Sequence, residues 1–279
     1  MTLRIQKWTL SDIAELLGGE LTDPQAGDQN PTSVSTDTRS IESGALFVAL
    51  AGDNFDGHDY VAAASEQGAC AAIVSSPAVV SDLPKIVVPD TLAALQRLGA
   101  QVFADARADG VRSIALTGSN GKTTTKELIA AIWGSEGAVV HATKGNFNNH
   151  IGVPLTLCAI PSDATVLVVE MGANDFGDIE ELVALAPADV RVITSIGYAH
   201  IEKLHNLDGV RRAKSEIFGD SLEALLAVVP EVERMRLWLN EFSGPVATVG
   251  TQVQGGSVTC GLRHGRVELF GPNIEYRVS

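Results

Sequence analysis

The phrase Leu116-Thr117-Gly118-Ser119-Asn120-Gly121-Lys122-Thr123-Thr124-Thr125 constrains this chain more than any other stretch. It follows the apolar run Ser113-Ile114-Ala115-Leu116 and opens an amphipathic segment over residues 126–133. Strand, glycine turn and helix start, in that order, make a cradle for oxyanions. Glycines let backbone N–H groups close around a phosphate, and the helix N-terminus adds positive potential. A lysine reaches the outer phosphates and a threonine hydroxyl can ligate Mg²⁺. The common P-loop spacing needs glycine at position 116, where Leu116 stands. The shorter Gly-x-x-Gly-Lys-Thr-Thr form points to a subset of nucleotide-binding enzymes, against the plainer reading of a glycine turn.

The rest of the pattern says what carries this loop. From residue 111 onward, apolar segments at 111–117, 138–142, 164–170 and 189–196 alternate with stretches able to hold crossover helices. That rhythm predicts an α/β fold with a mostly parallel sheet and helices on both faces. Ligands of such sheets bind beyond the carboxyl ends of the strands. Residues 117–122, Glu170 and residues 197–200 all fall there.

Ahead of this sheet, residues 1–85 read as a small α/β domain. Ser11 is expected to cap a helix at 12–17, and Gly68 to end another at 59–67. Strands are expected at 45–50, 71–75 and 85–88. The polar stretch 51–58 is either a ligand loop or ordinary turn chemistry. Asp90 caps a helix bearing Leu92, Leu95, Val102 and Phe103, which makes residues 86–110 a connecting helix. Residues 111–279 form the P-loop ATPase-like domain. Near its end, residues 221–242 look helical with a break at Pro230. Short strands follow at 246–250, 257–261, 266–270 and 274–278.

A chain of 279 residues is long enough for two domains. Its 20 basic and 34 acidic residues give a net charge of −14, and no basic cluster exceeds Arg211-Arg212. Nucleic acid is therefore not an expected partner, because phosphate backbones demand clustered Lys and Arg. Cys70, Cys158 and Cys260 lack metal-ligand spacing and read as buried thiols in a reducing compartment. No apolar run approaches the ~18 residues of a membrane span, and the start lacks a signal-peptide core. A cytoplasmic protein without membrane insertion is expected.

Further residues could carry chemistry. Glu170 ends the strand Thr165-Val166-Leu167-Val168-Val169, where a carboxylate can hold Mg²⁺ or simply be solvated. His200 follows the next strand. On its own a histidine is more often structural than a ligand, but it shares a sheet edge with Lys122 and Glu170. Lys214 falls on the same helical face as Leu207, Val210 and Ile217, whereas Arg211 and Arg212 point elsewhere. An inward lysine must snorkel, pair with a carboxylate or lose its charge, and reaction with CO₂ would turn it into an anionic oxygen ligand. The loop Lys144-Gly145-Asn146-Phe147-Asn148-Asn149-His150 offers amide donors and acceptors for phosphate or sugar, or an Asx-rich turn.

Together these segments resemble the Mur ligase family, ATP-dependent enzymes that add amino acids to the peptidoglycan precursor. The family's Thr-Gly-[Ser/Thr]-x-Gly-Lys-Thr-Thr loop matches Thr117 through Thr124, and its Glu, His and inward Lys match Glu170, His200 and Lys214. The phrase from Thr143 to Pro154 looks like the branch that adds D-alanyl-D-alanine. So do Glu170-Met171-Gly172-Ala173-Asn174, Gly177-Asp178-Ile179 and Ser35-Thr36-Asp37-Thr38-Arg39. The resemblance runs from about residue 8 to residue 218.

It implies transfer of D-Ala-D-Ala to UDP-MurNAc-tripeptide through an acyl phosphate, with ATP and Mg²⁺. Gly118, Ser119, Asn120, Gly121, Lys122, Thr123 and Thr124 would bind ATP. Thr123 and Glu170 would hold one Mg²⁺, with His200 and carbamylated Lys214 holding a second. Lys122, Lys214 and His200 would be catalytic. Thr36, Asp37, Arg39 and Ser43 would bind the uridine end of the substrate in the first domain, and Asn148 and Asn149 its diphosphate end. The family's Asn-Ala-Asp-Asp-like phrase after Phe218, its Gly-x-His-Asn adenine segment and its C-terminal domain have no counterpart here. The expectation is a truncated second domain whose uncovered C-terminal surface self-associates. The alternative is a catalytically silent fragment that binds the muropeptide nucleotide. An unrelated kinase or GTPase fits less well, since the Asn-Lys-x-Asp guanine phrase is missing.

Overall fold

The computed structural model describes residues 1–52 and 55–219, together with the backbone of strands at 226–230, 246–252 and 257–263. The chain divides into two units: Met1–Gly110 with Ile151–Ala164, and Val111–His150 with Thr165–Ser279. The first unit holds α1 (Leu10–Leu17), α2 (Val61–Glu66) and α3 (Thr91–Ala108). The second opens with α4 (Lys122–Ser135), α5 (Gly152–Cys158) returns to the first, and α6 (Asp178–Leu185), α7 (Ile201–Leu204) and α8 (Leu207–Ser215) lie in the second. Among the described residues, no helix is long and apolar enough to cross a membrane.

In the first unit the strands are β1 (Glu20–Leu21), β2 (Val34–Ser35), β3 (Leu46–Val48), β4 (Ala51–Gly52), β5 (Phe55–Asp56), β6 (Ala71–Val74) and β7 (Lys85–Val87). Five of them form a sheet in the order β1-β7-β6-β3-β2, parallel except for β1 against β7, and β4 and β5 form a separate ribbon. α1 begins earlier than Ser11 suggested. Thr9 is the cap: its hydroxyl accepts the Asp12 N–H at 3.1 Å while the Asp12 carboxylate accepts the Thr9 N–H at 2.9 Å. That reciprocal box satisfies two helix-end donors at once, which Ser11 cannot do. The helix expected at 59–67 is divided into a 3₁₀ turn, Gly57–Tyr60, capped by Asp56, and then α2.

α3 starts where Asp90 accepts the N–H groups of Leu92 and Ala93. Its Ala94, Leu95, Leu98 and Val102 recur at helical spacing and lie in one core with Ile5, Leu10, Ile13, Ile73 and Ile86. Each such Leu or Ile contributes about 2 kcal/mol by leaving water. Residues 86–110 are therefore built into the first unit, and so is α5. Gly99 permits its approach, because a Cβ there would meet the Pro154 carbonyl oxygen at 2.9 Å.

The second unit contains β8 (Arg112–Thr117), β9 (Val140–Ala142), β10 (Val166–Glu170), β11 (Val190–Ile193), β12 (Leu226–Pro230), β13 (Val246–Gln252) and β14 (Ser257–Arg263). They form a sheet in the order β14-β13-β12-β11-β8-β10-β9, parallel apart from the β13–β14 pair. The expected mostly parallel sheet is thus present. β10 is buried along its whole length, as a strand covered on both faces must be. Within the segment 221–242, read as helical, residues 226–230 instead continue the sheet beside β11. Val228 and Val229 favour a strand, and Pro230 stands at its last position. The strands expected at 266–270 and 274–278 lie outside the described residues.

α7 is bracketed by two non-glycine residues at positive φ, His200 at 53° and His205 at 65°. His205, with ψ −46°, centres a γ-turn in which Asn206 N–H meets the Leu204 carbonyl at 2.8 Å. Such strain costs ~1–3 kcal/mol, against ~0.5–1 kcal/mol for the extra chain entropy of glycine. His205→Gly is therefore expected to stabilise the chain by about 1 kcal/mol, read from the urea midpoint. A lower midpoint would mean that the imidazole offsets the strain.

Candidate active site

The strand register decides where the chemistry converges. Glu170 is paired with Leu116, and Ile193 with Thr117, so the carboxyl ends of β10, β8 and β11 are level. From β8 the chain goes outward to β9, whereas β10 connects back across β8 to β11. That reversal opens a crevice at the strand ends, the usual ligand position in open α/β sheets.

The loop between β8 and α4 is built for close approach. Gly118 has φ 149°, and a Cβ there would meet Thr194 Oγ1 at 2.1 Å. Gly121 caps α4 at φ 80° and offers no side chain to the helix's first N–H groups, leaving them available to an anion. A brace from the segment after β11 holds the loop. Ser119 Oγ donates to the Gly197 carbonyl at 3.0 Å and accepts its N–H at 2.9 Å, while Ser195 Oγ accepts the Asn120 N–H at 2.9 Å. Lys122 Nζ reaches back to the Gly118 carbonyl at 2.9 Å.

Glu170 is buried at the tip of β10. Its Oε2 accepts from Thr123 Oγ1 at 3.1 Å and its Oε1 from Asn148 Nδ2 at 2.8 Å. These are neutral donors, so the carboxylate's charge is left for a cation. Among the described residues, no group of three or more His, Cys, Asp and Glu side chains converges as a metal cage. A divalent ion here would rest on Glu170, the Thr123 hydroxyl and phosphate oxygens, an all-oxygen set that suits Mg²⁺.

A cavity of about 290 Å³ in this unit is lined by Lys122, Asn148, Asn149, His200 and Lys214. Asn146 and His150 of the amide-rich loop line it as well, together with Asn174, Asp178 and Glu181, to which the sequence assigned no binding role. Gly177, at φ 89°, starts α6, and of that helix's first-turn carboxylates Asp178 and Glu181 line the cavity.

Lys214 is 1% exposed although charged. Burial, helped by the nearby Lys122 ammonium, pulls its pKa from 10.5 down to about 8, with Glu216 and Asp178 opposing. Glu216 in turn accepts the Gly177 N–H at 2.9 Å, and burial raises its own pKa. As an ammonium Lys214 has no lone pair to offer a metal, whereas deprotonation or reaction with CO₂ would supply one. Arg211, off the Lys214 face, is nonetheless not solvent-exposed. It is buried and paired with Asp208, while Arg212 stacks 5.2 Å above Phe176.

The 3₁₀ turn Glu216–Phe218 that follows α8 is held by Arg191 of β11, fully buried, whose guanidinium donates to the carbonyls of Ile217 at 3.0 Å and Phe218 at 2.7 Å. Arg191→Met would orphan those carbonyls and is expected to cost about 3 kcal/mol, measured by denaturant unfolding. A loss under about 1 kcal/mol would mean the turn finds other donors.

In the first unit Asp37 and Arg39 form a bidentate pair, with Arg39 Nε on Oδ1 at 2.9 Å and an Nη on Oδ2 at 2.6 Å. The Arg39 hydrogen bonds draw Asp37 down to about 2. Thr36 is half-buried beside this pair in sequence. Ser43 sits on the exposed turn before β3, its carbonyl taken by Thr32 Oγ1 at 2.9 Å. The first unit's own groove, lined by His58, Asp59, Ala62 and Ser76, includes none of these four. Of the cysteines, Cys158 is buried, which pushes its thiol up to about 12, and Cys70 is half-buried and also raised by burial. The side chain of Cys260 lies outside the described residues.

A glycine phosphate loop at the end of a parallel strand, with a buried carboxylate on the neighbouring strand, defines an α/β nucleotide-binding class. Residues 116–268 match the Mur ligase middle domain, and residues 31–131 match the Mur ligase family catalytic domain. The chain belongs to the Mur ligase family. It is 41% identical over 247 residues to the UDP-N-acetylmuramoyl-tripeptide–D-alanyl-D-alanine ligase of Bacillus subtilis, covering 88% of this chain and 53% of that protein. The Escherichia coli enzyme of the same name is 41% identical over 221 residues, covering 79% and 47%. Among solved structures, MurF from Acinetobacter baumannii superposes with a TM-score of 0.79 at 33% identity, covering 87% of this chain and 54% of that one. MurF from Thermotoga maritima in complex with ADP gives 0.70 at 30% identity, covering 78% and 50%. The chain spans about half the length of the curated relatives it matches.

Proposed function

We propose that this chain forms the nucleotide- and muropeptide-binding part of a cytoplasmic ATP-dependent ligase that adds D-alanyl-D-alanine to UDP-MurNAc-tripeptide. The observation that carries this reading is the meeting of Lys122, His200 and Lys214 in one cavity, beside the linked pair Thr123 and Glu170. Likeness to relatives named for that reaction supports it.

In this reading the muropeptide carboxylate attacks the γ-phosphorus and ADP leaves. The dipeptide amine then attacks the acyl carbon, phosphate leaves and the amine gives up a proton. Lys122 and the first N–H groups of α4 would face the charge spreading over the transferred phosphoryl group, and the braced loop would hold the reacting atoms in line. Bound Mg²⁺ would neutralise phosphate charge, one ion on Thr123 and Glu170 and a second on His200 and carbamylated Lys214. Asn148 and Asn149 would meet the diphosphate end of the substrate. Thr36, Asp37, Arg39 and Ser43 are the residues proposed for the uridine end.

The test is phosphate release from Mg-ATP with UDP-MurNAc-tripeptide, with and without D-Ala-D-Ala. Release that requires the dipeptide supports the ligase. Tight muropeptide binding without release would instead make the chain a silent binding module.

A further inference from the structure

Lys126 has no part in the reaction outlined above, yet it is a charged side chain only 1% exposed. It lies on α4 three residues after Thr123, on the same face of the helix. Its Nζ donates to the Thr143 carbonyl at 2.6 Å and pairs with Glu127 at 2.9 Å, a carboxylate that is itself 67% exposed. Burying an ammonium is costly, and an apolar side chain would fill the same space more cheaply. What the charge holds therefore matters.

Thr143 directly follows β9 and is buried. Its N–H donates to the Val168 carbonyl at 3.0 Å, and its Oγ1 accepts the Glu170 N–H at 3.0 Å. Glu170 then meets Thr123 through one carboxylate oxygen and Asn148 through the other. Two residues one turn apart on α4 thus grip both sides of a single polar chain. Thr123 touches the carboxylate, and Lys126 fixes the backbone behind it.

We propose that Lys126 is a positioning residue whose buried ammonium pins Thr143 and so aims the Glu170 carboxylate and the Asn148 loop at the metal–phosphate position. This rests on the ATP-site reading. Thr143 is the relay: its carbonyl takes the ammonium while its hydroxyl sets the Glu170 backbone.

The test uses the whole chain as Lys126→Met, Thr143→Val and the double variant. Amide exchange without nucleotide is expected to rise at residues 143–150 and at Glu170, leaving the other strands protected. The apparent Mg²⁺ affinity in ADP binding is expected to fall about tenfold in each single variant, as when a partner behind a metal ligand is lost. The double variant is expected to fall no further, since both changes cut the same route. Unchanged exchange at 143–150, loss of protection spread over the sheet, or fully additive losses would overturn the proposal. Should Lys126→Met not fold, Thr143→Val decides alone, and unaltered Mg²⁺ affinity there would sink the relay. Wild-type chain showing no Mg²⁺-dependent ADP binding would defeat the ATP-site reading, while the exchange experiment would still judge Lys126.

Discussion

Lys122→Met is expected to lower Mg-ATP-dependent phosphate release at least about a hundredfold while the melting temperature stays within about 3 °C. The asymmetry follows from what Lys122 does in the fold. Its Nζ makes one hydrogen bond, to the Gly118 carbonyl of its own loop, and the side chain is only half-buried. The loop itself is held by Ser119, Asn120, Thr194, Ser195 and Gly197, none of which needs the ammonium. Methionine keeps the length and removes the charge. Phosphate release and ADP affinity measured beside a melting curve check this. Undiminished release would move the phosphate site away from this loop.

Lys214→Met should act the other way on stability. The folded pKa of about 8 lies below the ordinary 10.5, so between those values the unfolded chain binds more protons than the folded one. Stability contributed by this position therefore rises with pH through that window, and the cost of burying the charge is full below about 8. A shift of this size corresponds to about 3 kcal/mol, with the opposing pull of Glu216 and Asp178 already included. The metal-free Lys214→Met chain is expected to be more stable near neutral pH by up to about 3 kcal/mol and to lose the wild-type rise at alkaline pH. On the ligase reading proposed above, dipeptide-dependent phosphate release should vanish in the same variant. Urea unfolding at neutral and alkaline pH reads the first effect. A destabilised variant at neutral pH would show that the ammonium is better satisfied in its cavity than its burial implies.

A stabilising loss of function is what a residue kept for chemistry should produce. The same tension runs through Lys126 and Glu170, charged groups in positions where apolar side chains would be easier to fold around.

Much of the architecture was legible because its signals are local. β8, the glycine turn and α4 follow from an apolar run, two glycines and a helix-forming segment, and the parallel sheet follows from alternation along the chain. Lys214 declared itself by spacing, since a charge on the Leu207, Val210 and Ile217 face has to be buried or satisfied. Local signals also misled. Ser11 is as good a cap by type as Thr9, and only the reciprocal bond with Asp12 favours the latter. Residues 226–230 carry a helix-compatible run, but the open edge of β11 takes them as a strand.

The sequence by itself determined which residues are candidates for phosphate and metal, because glycine conformation, helix polarity and side-chain chemistry are properties of short segments. Only the tertiary structure decided that they face one another. Register levels Glu170 with Leu116 and Ile193 with Thr117, so hydrogen bonds between strands distant in sequence set the distance from loop to carboxylate. The tertiary structure also revealed Lys126, since neither periodicity nor composition can say which carbonyl a buried lysine will meet. That carbonyl belongs to Thr143, seventeen residues further along the chain. Packing of α4 against β9 and β10, not any pattern within either segment, brings the two together.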